Sequence, residues 1–454
     1  MESAIRICLI PVPVPEHREK KPDMIKHFLK SKFSHNAFWI IGGRIYQMLT
    51  NLLVSLLMAR YLGPSNYGLI NYAASWTAMF TSLCTLGINS ILVNELLTQE
   101  TQEGEILGSA IGMRLVSSFL SAITIISLVK VMNPDDSNTI FVVAIYSISL
   151  VFQAFDTINY WYQAHMRSRE SAVVAMIGYT AVTVYKIFLL VTQKSVFWFA
   201  ASHAVEFGVV AVLLVFSYFR HADHKQPLRF SLKTGKALLN RSYHFILSGM
   251  MVAIYGQMDK IMLKSMLGDE AVGYYSAAVT VCSVWPFVLA AIIDAAKPLI
   301  LTEFSHNYAK FEKYLTYLYG AIIYVSLAAG LTITVFSSPI IRILYGEAYM
   351  NARSALCIVS WYTAFSYLGV ARSTWLVPHK KIKYEKYIAA SGAVANLVMN
   401  ALFIPLWGVD GAAAATLLTQ IFTNFLVGFF FREIRRNNVL ILKAFTFWKE
   451  LIWK

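Results

Sequence analysis

Two arginines, Arg44 and Arg114, stand inside long apolar stretches of this sequence. A guanidinium stays charged when buried and grips a phosphate with paired hydrogen bonds. Each lies about eight residues, roughly 12 Å at the helical rise, from the nearer end of its stretch. An anionic head group drawn in from one membrane face would meet them at that depth. Gly42-Gly43 precedes Arg44 and lets the backbone bend or approach a ligand. Gln47 and Asn51 continue the face of Arg44 at helical spacing, and Ser118 and Ser121 follow Arg114. Lys186, Lys260 and Arg372 complete the candidate set for an anionic ligand. They sit within about six residues of a stretch end, where a long side chain snorkels to the interface by default. For Arg44 and Arg114 the plain alternatives are snorkelling and pairing with Asp156.

The carboxylates in such stretches are Asp156, Glu206, Asp259 and Asp294. A carboxylate shielded from water can load and release a proton as solvent access switches. Glu206 lies near the middle of its stretch, one turn from Ser202 and His203, and a histidine titrates near neutrality. Asp156, His203, Glu206, Asp259 and Asp294 are therefore the candidates for coupling to a proton or sodium gradient. Asp259 and Lys260 are adjacent but point about 100° apart, so they need not pair. Catalytic and metal sites are not expected: the sequence has no phosphate-binding Gly-Lys loop and no metal-spaced histidine cluster. Cys8, Cys84, Cys282 and Cys357 are isolated and read as small core residues. Asp135-Asp136 beside Asn133-Pro134 reads as a solvated turn.

The elements that hold these residues are membrane spans. Hydrophobic residues make up 57% of the chain and charged ones 14%, against about 25% charged in a soluble domain. About twelve runs are long enough to cross a bilayer as helices: 36–58, 67–91, 106–130, 139–164, 171–191, 195–219, 241–264, 270–296, 317–337, 353–378, 385–405 and 409–431. The net charge of +14 is a topology signal rather than a nucleic-acid footprint, since about 28 of the 39 Lys and Arg fall in the two tails and alternate loops. The basic loops are Arg167–Arg169, Arg220–Arg241, Lys297–Lys313 and Lys380–Lys386. The opposite loops, at residues 63–66, 133–136, 192–195, 268–270, 337–351 and 407–411, are short and neutral or acidic. Both termini are thereby placed in the cytoplasm. The acidic loop Glu95–Glu105 falls on the inner side by parity, against the trend.

This divides the chain into a cytoplasmic segment 1–35, a six-helix half 36–219, a basic linker 220–240, a second six-helix half 241–431 and a tail 432–454. Residues 1–23 read as disordered, with Met24 a candidate natural start. The aromatic and basic stretch Val439–Lys454 reads as an interfacial amphipathic helix. Polar stripes mark a cavity rather than lipid-facing surface: Arg44, Gln47, Asn51 and Ser55 in the first span; Tyr146, Ser149, Gln153, Asp156, Tyr160 and Gln163 in the fourth. Shorter stripes run through Ser248, Tyr255 and Asp259, through Ser276, Thr280, Ser283 and Asp294, and through Thr416, Thr419, Gln420 and Thr423. The alternative is hydrogen bonding within a packed bundle. The pattern L-G-x-x-x-x-G occurs at Leu62–Gly68 and again at Leu267–Gly273, each time between the first and second span of a half. Parallel halves of this kind suggest alternating access around a central cavity.

Four segments carry a family resemblance by their order and spacing: Ala59–Gly68, Tyr160–Arg167, Gln257–Leu263 and Gly408–Thr416. With them, nearly the whole chain after residue 34 resembles the polysaccharide-unit (Wzx-type) flippases. The resemblance implies an all-α, MATE-like membrane fold of the MOP superfamily, with two six-helix bundles in a V around a cationic cavity. It implies transfer of undecaprenyl-diphosphate-linked oligosaccharide from the cytoplasmic to the periplasmic leaflet, coupled to an ion gradient, in the bacterial inner membrane. A polysaccharide polymerase and a chain-length regulator are the implied partners, and no enzymatic activity or resident cofactor is implied. The family's cavity cations map onto Arg44, with Arg114, Lys186 and Arg372 behind it. A MATE-type exporter of cations, which would prefer an acidic cavity, and a membrane glycosyltransferase or polymerase, which would need a long outer loop, are the alternatives.

Overall fold

The structure is a computed structural model that describes residues 32–99, 102–221 and 227–446. Turns aside, these residues are helical, with no strand among them. Hydrocarbon imposes this, because a spanning segment must satisfy its own backbone N–H and C=O groups. The readings made for residues 1–23, Met24 and Cys8 fall outside the described residues.

The helices are α1 (Lys32–Thr85), α2 (Asn89–Thr98), α3 (Glu103–Met132), α4 (Ser137–Gln153), α5 (Thr157–Ala164), α6 (Ser168–Val191), α7 (Val196–His221), α8 (Leu232–Leu267) and α9 (Asp269–Val284). After these come α10 (Phe287–His306), α11 (Tyr308–Val335), α12 (Ser337–Leu344), α13 (Ala352–Val359), α14 (Tyr362–Leu376), α15 (Tyr384–Ile421), α16 (Val427–Phe430) and α17 (Arg435–Phe445). Among the described residues, nine helical stretches are long and apolar enough to cross a membrane. α8, at 36 residues, is also long enough, though more polar.

Two of the helices double back. Gly63 interrupts α1 at φ 72°, in the left-handed region that glycine enters without a Cβ penalty. Ser55 Oγ then lies 3.0 Å from Tyr67 Oη, whereas residues twelve apart on a straight helix are about 18 Å apart. α15 reverses at Gly408, with φ 60°, and Thr419 Oγ1 comes within 3.7 Å of Met399 Sδ. The loops expected at 63–66 and 407–411 are therefore single-glycine reversals.

Other expected boundaries also shift. The second span ends at Thr85 and continues after a turn as α2. The fourth carries a 3-10 turn at Ala154–Asp156, and the eighth breaks at Trp285-Pro286. The basic loop Lys297–Lys313 is helical except at Asn307, which caps α11 through Lys310 N. α8 begins inside the expected linker, with Ser231 capping Thr234 N.

The two copies of the glycine motif are where the halves meet. A Cβ added at Gly68 would strike the carbonyl of Asp269, and one at Gly273 would strike that of Pro64. The third residue of each copy thus lies on the seventh of the other, the reciprocal pattern of a two-fold axis. Tyr67, Tyr274, Tyr345 and Tyr349 pack around this contact with ring centroids 5.2–6.4 Å apart, and Tyr349 donates to the Ala59 carbonyl at 2.9 Å. The largest buried apolar cluster draws on both halves here.

α8 runs beside the second arm of α1. Gly249 makes room for Ser82, and Ser242 donates to the Leu86 carbonyl at 2.7 Å. Arg241 pairs with Glu95, and Thr234 hydrogen-bonds Glu105. Arg229 N donates to the Gly104 carbonyl at 3.2 Å, while Gly108 and Gly112 leave space for Arg229 and Phe230. The acidic stretch Glu95–Glu105, anomalous by charge alone, is thus the complement of the basic linker. α17 buries Leu440, Ile441 and Ala444, and Asn437 accepts from Tyr319 of α11 at 2.6 Å. That part of the tail docks on the bundle instead of lying only in the interface.

Candidate functional site

A cavity of about 350 Å³ opens among α1, α3, α5 and α6, with polar side chains as most of its lining residues. Arg114, on α3, is 2% exposed. Its terminal nitrogens donate to Thr157 Oγ1 (2.7 Å), Asn89 Oδ1 (3.2 Å) and the Gln153 carbonyl (2.9 Å). The last is a carbonyl at the end of α4, where the 3-10 turn breaks the helical ladder. Arg114 Nε is buried with no partner among the described residues. Asp156 shares the cavity and its field acts on Arg114. Gln47 enters from α1 and approaches the Tyr179 hydroxyl of α6. The fourth-span stripe supplies Gln153, Asp156, Tyr160 and Gln163.

Of the residues singled out for an anionic ligand, Gln47 and Arg114 therefore line this cavity. The side chain of Arg44 lies outside the described residues. Asn51 is exposed and does not line it. Lys186 is paired with Glu206 at 3.0 Å. Arg372 is 3% exposed and held by both oxygens of Glu385, at 3.1 and 3.2 Å, within the second half. Lys260 is half-buried beside Asp259, with no ion pair among the described residues.

The ion-coupling candidates divide into separate places. His203 stacks on Tyr146, with centroids 4.0 Å apart, one turn from the Lys186–Glu206 pair. Asp294 is exposed on α10. Asp259 is 3% exposed and accepts four hydrogen bonds. Oδ1 takes Asn396 (2.8 Å) and Asn400 (2.5 Å), and Oδ2 takes Tyr275 (2.6 Å) and Thr416 (2.7 Å). Asn400 Oδ1, beside it, is a buried acceptor without a partner among the described residues. Among the described residues no group of three His, Cys, Asp or Glu could hold a metal.

Sequence reasoning missed Asn89 and Tyr179 in the cavity and the Asn396–Asn400 pair. Two asparagines four apart in an apolar run share a helix face, and that signal was there to use. Asp136, read as part of a solvated turn, is instead tied into the junction of the halves. Lys264 Nζ, on a side chain 7% exposed, lies 3.0 Å from Asp136 and 2.6 Å from Asp269. It also lies 3.0 Å from Thr139 Oγ1 and faces the Tyr72 ring. Partial burial would raise the Asp136 carboxyl, but hydrogen bonds from Thr139 and Lys264 outweigh it and hold the group below its ordinary value.

Residues 33–304 match the family model described as "Polysaccharide biosynthesis protein". Over 231 residues the chain is 26% identical to an uncharacterized membrane protein of Methanocaldococcus jannaschii, covering 49% of this chain but only 43% of that protein. It is 18% identical to the capsular polysaccharide biosynthesis protein CapF of Staphylococcus aureus, over 88% of this chain and 99% of that one. Solved structures share its fold, among them the following two. An inward-facing multidrug resistance MATE family transporter of the MOP superfamily superposes with TM-score 0.67 at 14% identity, covering 88% of this chain and 96% of the other. The lipid II flippase MurJ in an inward closed conformation superposes with TM-score 0.68 at 15% identity, covering 91% and 93%.

Proposed function

This chain belongs to the polysaccharide biosynthesis protein family, and we propose from that premise that it is a flippase, carrying undecaprenyl-diphosphate-linked oligosaccharide across a bacterial inner membrane. The observation that carries the reading is the cavity around Arg114. A diphosphate carries at least two negative charges, and passage through hydrocarbon unaided is prohibitive. A buried guanidinium with a spare Nε donor, ringed by amides and hydroxyls, replaces part of the lost hydration. Arg44, on the first arm of α1, is the second cation assigned to the head group.

In this proposal twelve crossings form two bundles with both termini cytoplasmic, and the glycine-turn end faces the periplasm. The halves are joined at that end, which corresponds to a state closed outward. Alternating access would part the Gly68–Asp269 and Gly273–Pro64 contacts. Coupling is placed at Asp259. The oxygens available there to a proton or sodium ion are the Asp259 carboxylate, the Tyr275 and Thr416 hydroxyls and the orphan Asn400 Oδ1. The chain acts as a transporter without a resident cofactor, alongside a polymerase and chain-length regulator.

The test is complementation of a flippase-null strain with chemical analysis of the surface glycan. The intact chain should restore the polymer, and Arg114→Ala should abolish it at unchanged protein level. Full export by Arg114→Ala would remove the cavity from the mechanism.

A further inference from the structure

A second recess lies on the other side of the same wall. It holds about 570 Å³, is mainly apolar, and is lined by Tyr46, Leu53, Leu57, Thr183, Ile187 and Leu344 among others. Leu53 and Leu57 are 62% and 48% exposed. α1 and α6 serve both spaces. Gln47 and Tyr179 face the polar cavity, while their neighbours Tyr46 and Thr183 line the apolar groove. Between them, Tyr46 Oη and Thr180 Oγ1 are joined by a 2.5 Å hydrogen bond. The groove runs from Tyr46 to Arg60, about 21 Å along the helix, away from the cavity and toward the glycine turns. There Arg60 closes it, donating to the Leu344 carbonyl at 2.9 Å and to that of Ile343.

We infer that this groove is the seat of the substrate's polyprenyl chain while its diphosphate occupies the Arg114 cavity. The inference rests on the flippase reading above. A lipid taken from the inner leaflet has its phosphate near the cytoplasmic face and its chain directed at the midplane, the order in which cavity and groove succeed each other along α1. Both spaces are lined from α1 and α6, by residues one to four positions apart on each helix, so a head in one and a tail in the other is within a single molecule's reach. Hydrophobicity alone does not hold the chain, because the bilayer is as apolar as the groove. Selection comes from packing: a methyl-branched chain lying among Leu, Ile and Tyr side chains gains dispersion contacts at each branch.

The experiment measures binding to the full-length protein in nanodiscs. The probes are a long polyprenyl diphosphate, geranyl diphosphate, inorganic diphosphate and dioleoyl phosphatidate. Wild type is compared with Leu53→Trp and Leu57→Trp, which fill the groove at exposed positions. The long polyprenyl diphosphate should bind at least about tenfold tighter than geranyl diphosphate, about 1.4 kcal/mol. Each tryptophan should remove most of that advantage and leave inorganic diphosphate unaffected. Equal affinity for long and short chains, or an equal gain by phosphatidate, overturns the groove assignment while the head-group site stands. Failure of every diphosphate to bind overturns the flippase reading and the groove together.

Discussion

Replacing Lys264 by methionine tests whether the junction at the glycine turns is a latch between the two halves. Lys264 and Asp269 belong to the second half and Asp136 and Thr139 to the first, so the ion pair that crosses is the one to Asp136 at 3.0 Å, with a hydrogen bond to Thr139 Oγ1 beside it. Breaking a fully buried pair costs about 3–5 kcal/mol and an exposed one about 0–1 kcal/mol. The Lys264 side chain is 7% exposed and that of Asp136 39%, which puts the crossing contact near 2 kcal/mol after screening. At about 1.4 kcal/mol per factor of ten, the closed state should lose roughly 30-fold in population relative to the open one. Ser276 lies one turn beyond Gly273 and is 1% exposed. In a background free of native cysteines, Ser276→Cys should react about 30-fold faster with an impermeant maleimide when Lys264 is methionine. Asp136→Asn, which leaves Lys264 its bond to Asp269, should give about tenfold or less. An unchanged rate in folded Lys264→Met protein would refute the latch. The pH sign follows from Asp136. Its carboxyl is held below its ordinary value, so its contribution is whole above about pH 4 and is lost as pH falls through the lowered value. Labelling of the Ser276→Cys protein, divided by the thiolate-limited rate of a freely exposed cysteine at the same pH, should therefore be flat through neutrality and rise only in acid.

Three further outcomes are expected. Gly68→Ala drives a Cβ into the Asp269 carbonyl and should destabilise the closed junction by about 1–3 kcal/mol, seen as lower thermal stability and faster labelling at position 276. Asp259→Asn should abolish the response of transport in vesicles to an imposed ion gradient, and an unaltered response would move coupling elsewhere. Glu206→Gln leaves Lys186 without its 3.0 Å partner and should lower stability by about 3–5 kcal/mol; loss of gradient response at unchanged stability would instead mark the pair as functional.

The membrane class and the long apolar helices were legible because they rest on length and periodicity, which hydrocarbon enforces. The fourth-span stripe was legible for the same reason, since Gln153, Asp156, Tyr160 and Gln163 recur at one face and meet in one cavity. Pairing was not legible. Lys186, Arg372 and Lys264 are alike by position in a span, but their carboxylates come from 20, 13 and 128 residues away. The turns at 63–66 and 407–411 were legible, but not that each reverses at a single glycine, because a short loop and a one-residue break have nearly the same composition. The docking of the linker on Gly104, Gly108 and Gly112 depends on main-chain shape, which hydropathy does not encode.

The long seam that α8 makes with the second arm of α1 and with α2 bears on where the proposed passenger would board. It is stitched at Gly249–Ser82, Ser242–Leu86 and Arg241–Glu95, so the protein is bound there like the spine of a book. A book parts only along its fore-edge. The fore-edge here is the first arm of α1, which carries Arg44, Gln47 and the row of exposed leucines. On the flippase proposal, sugars too large to fit inside 350 Å³ would trail out along that margin, and glycan length would then cease to limit what is carried.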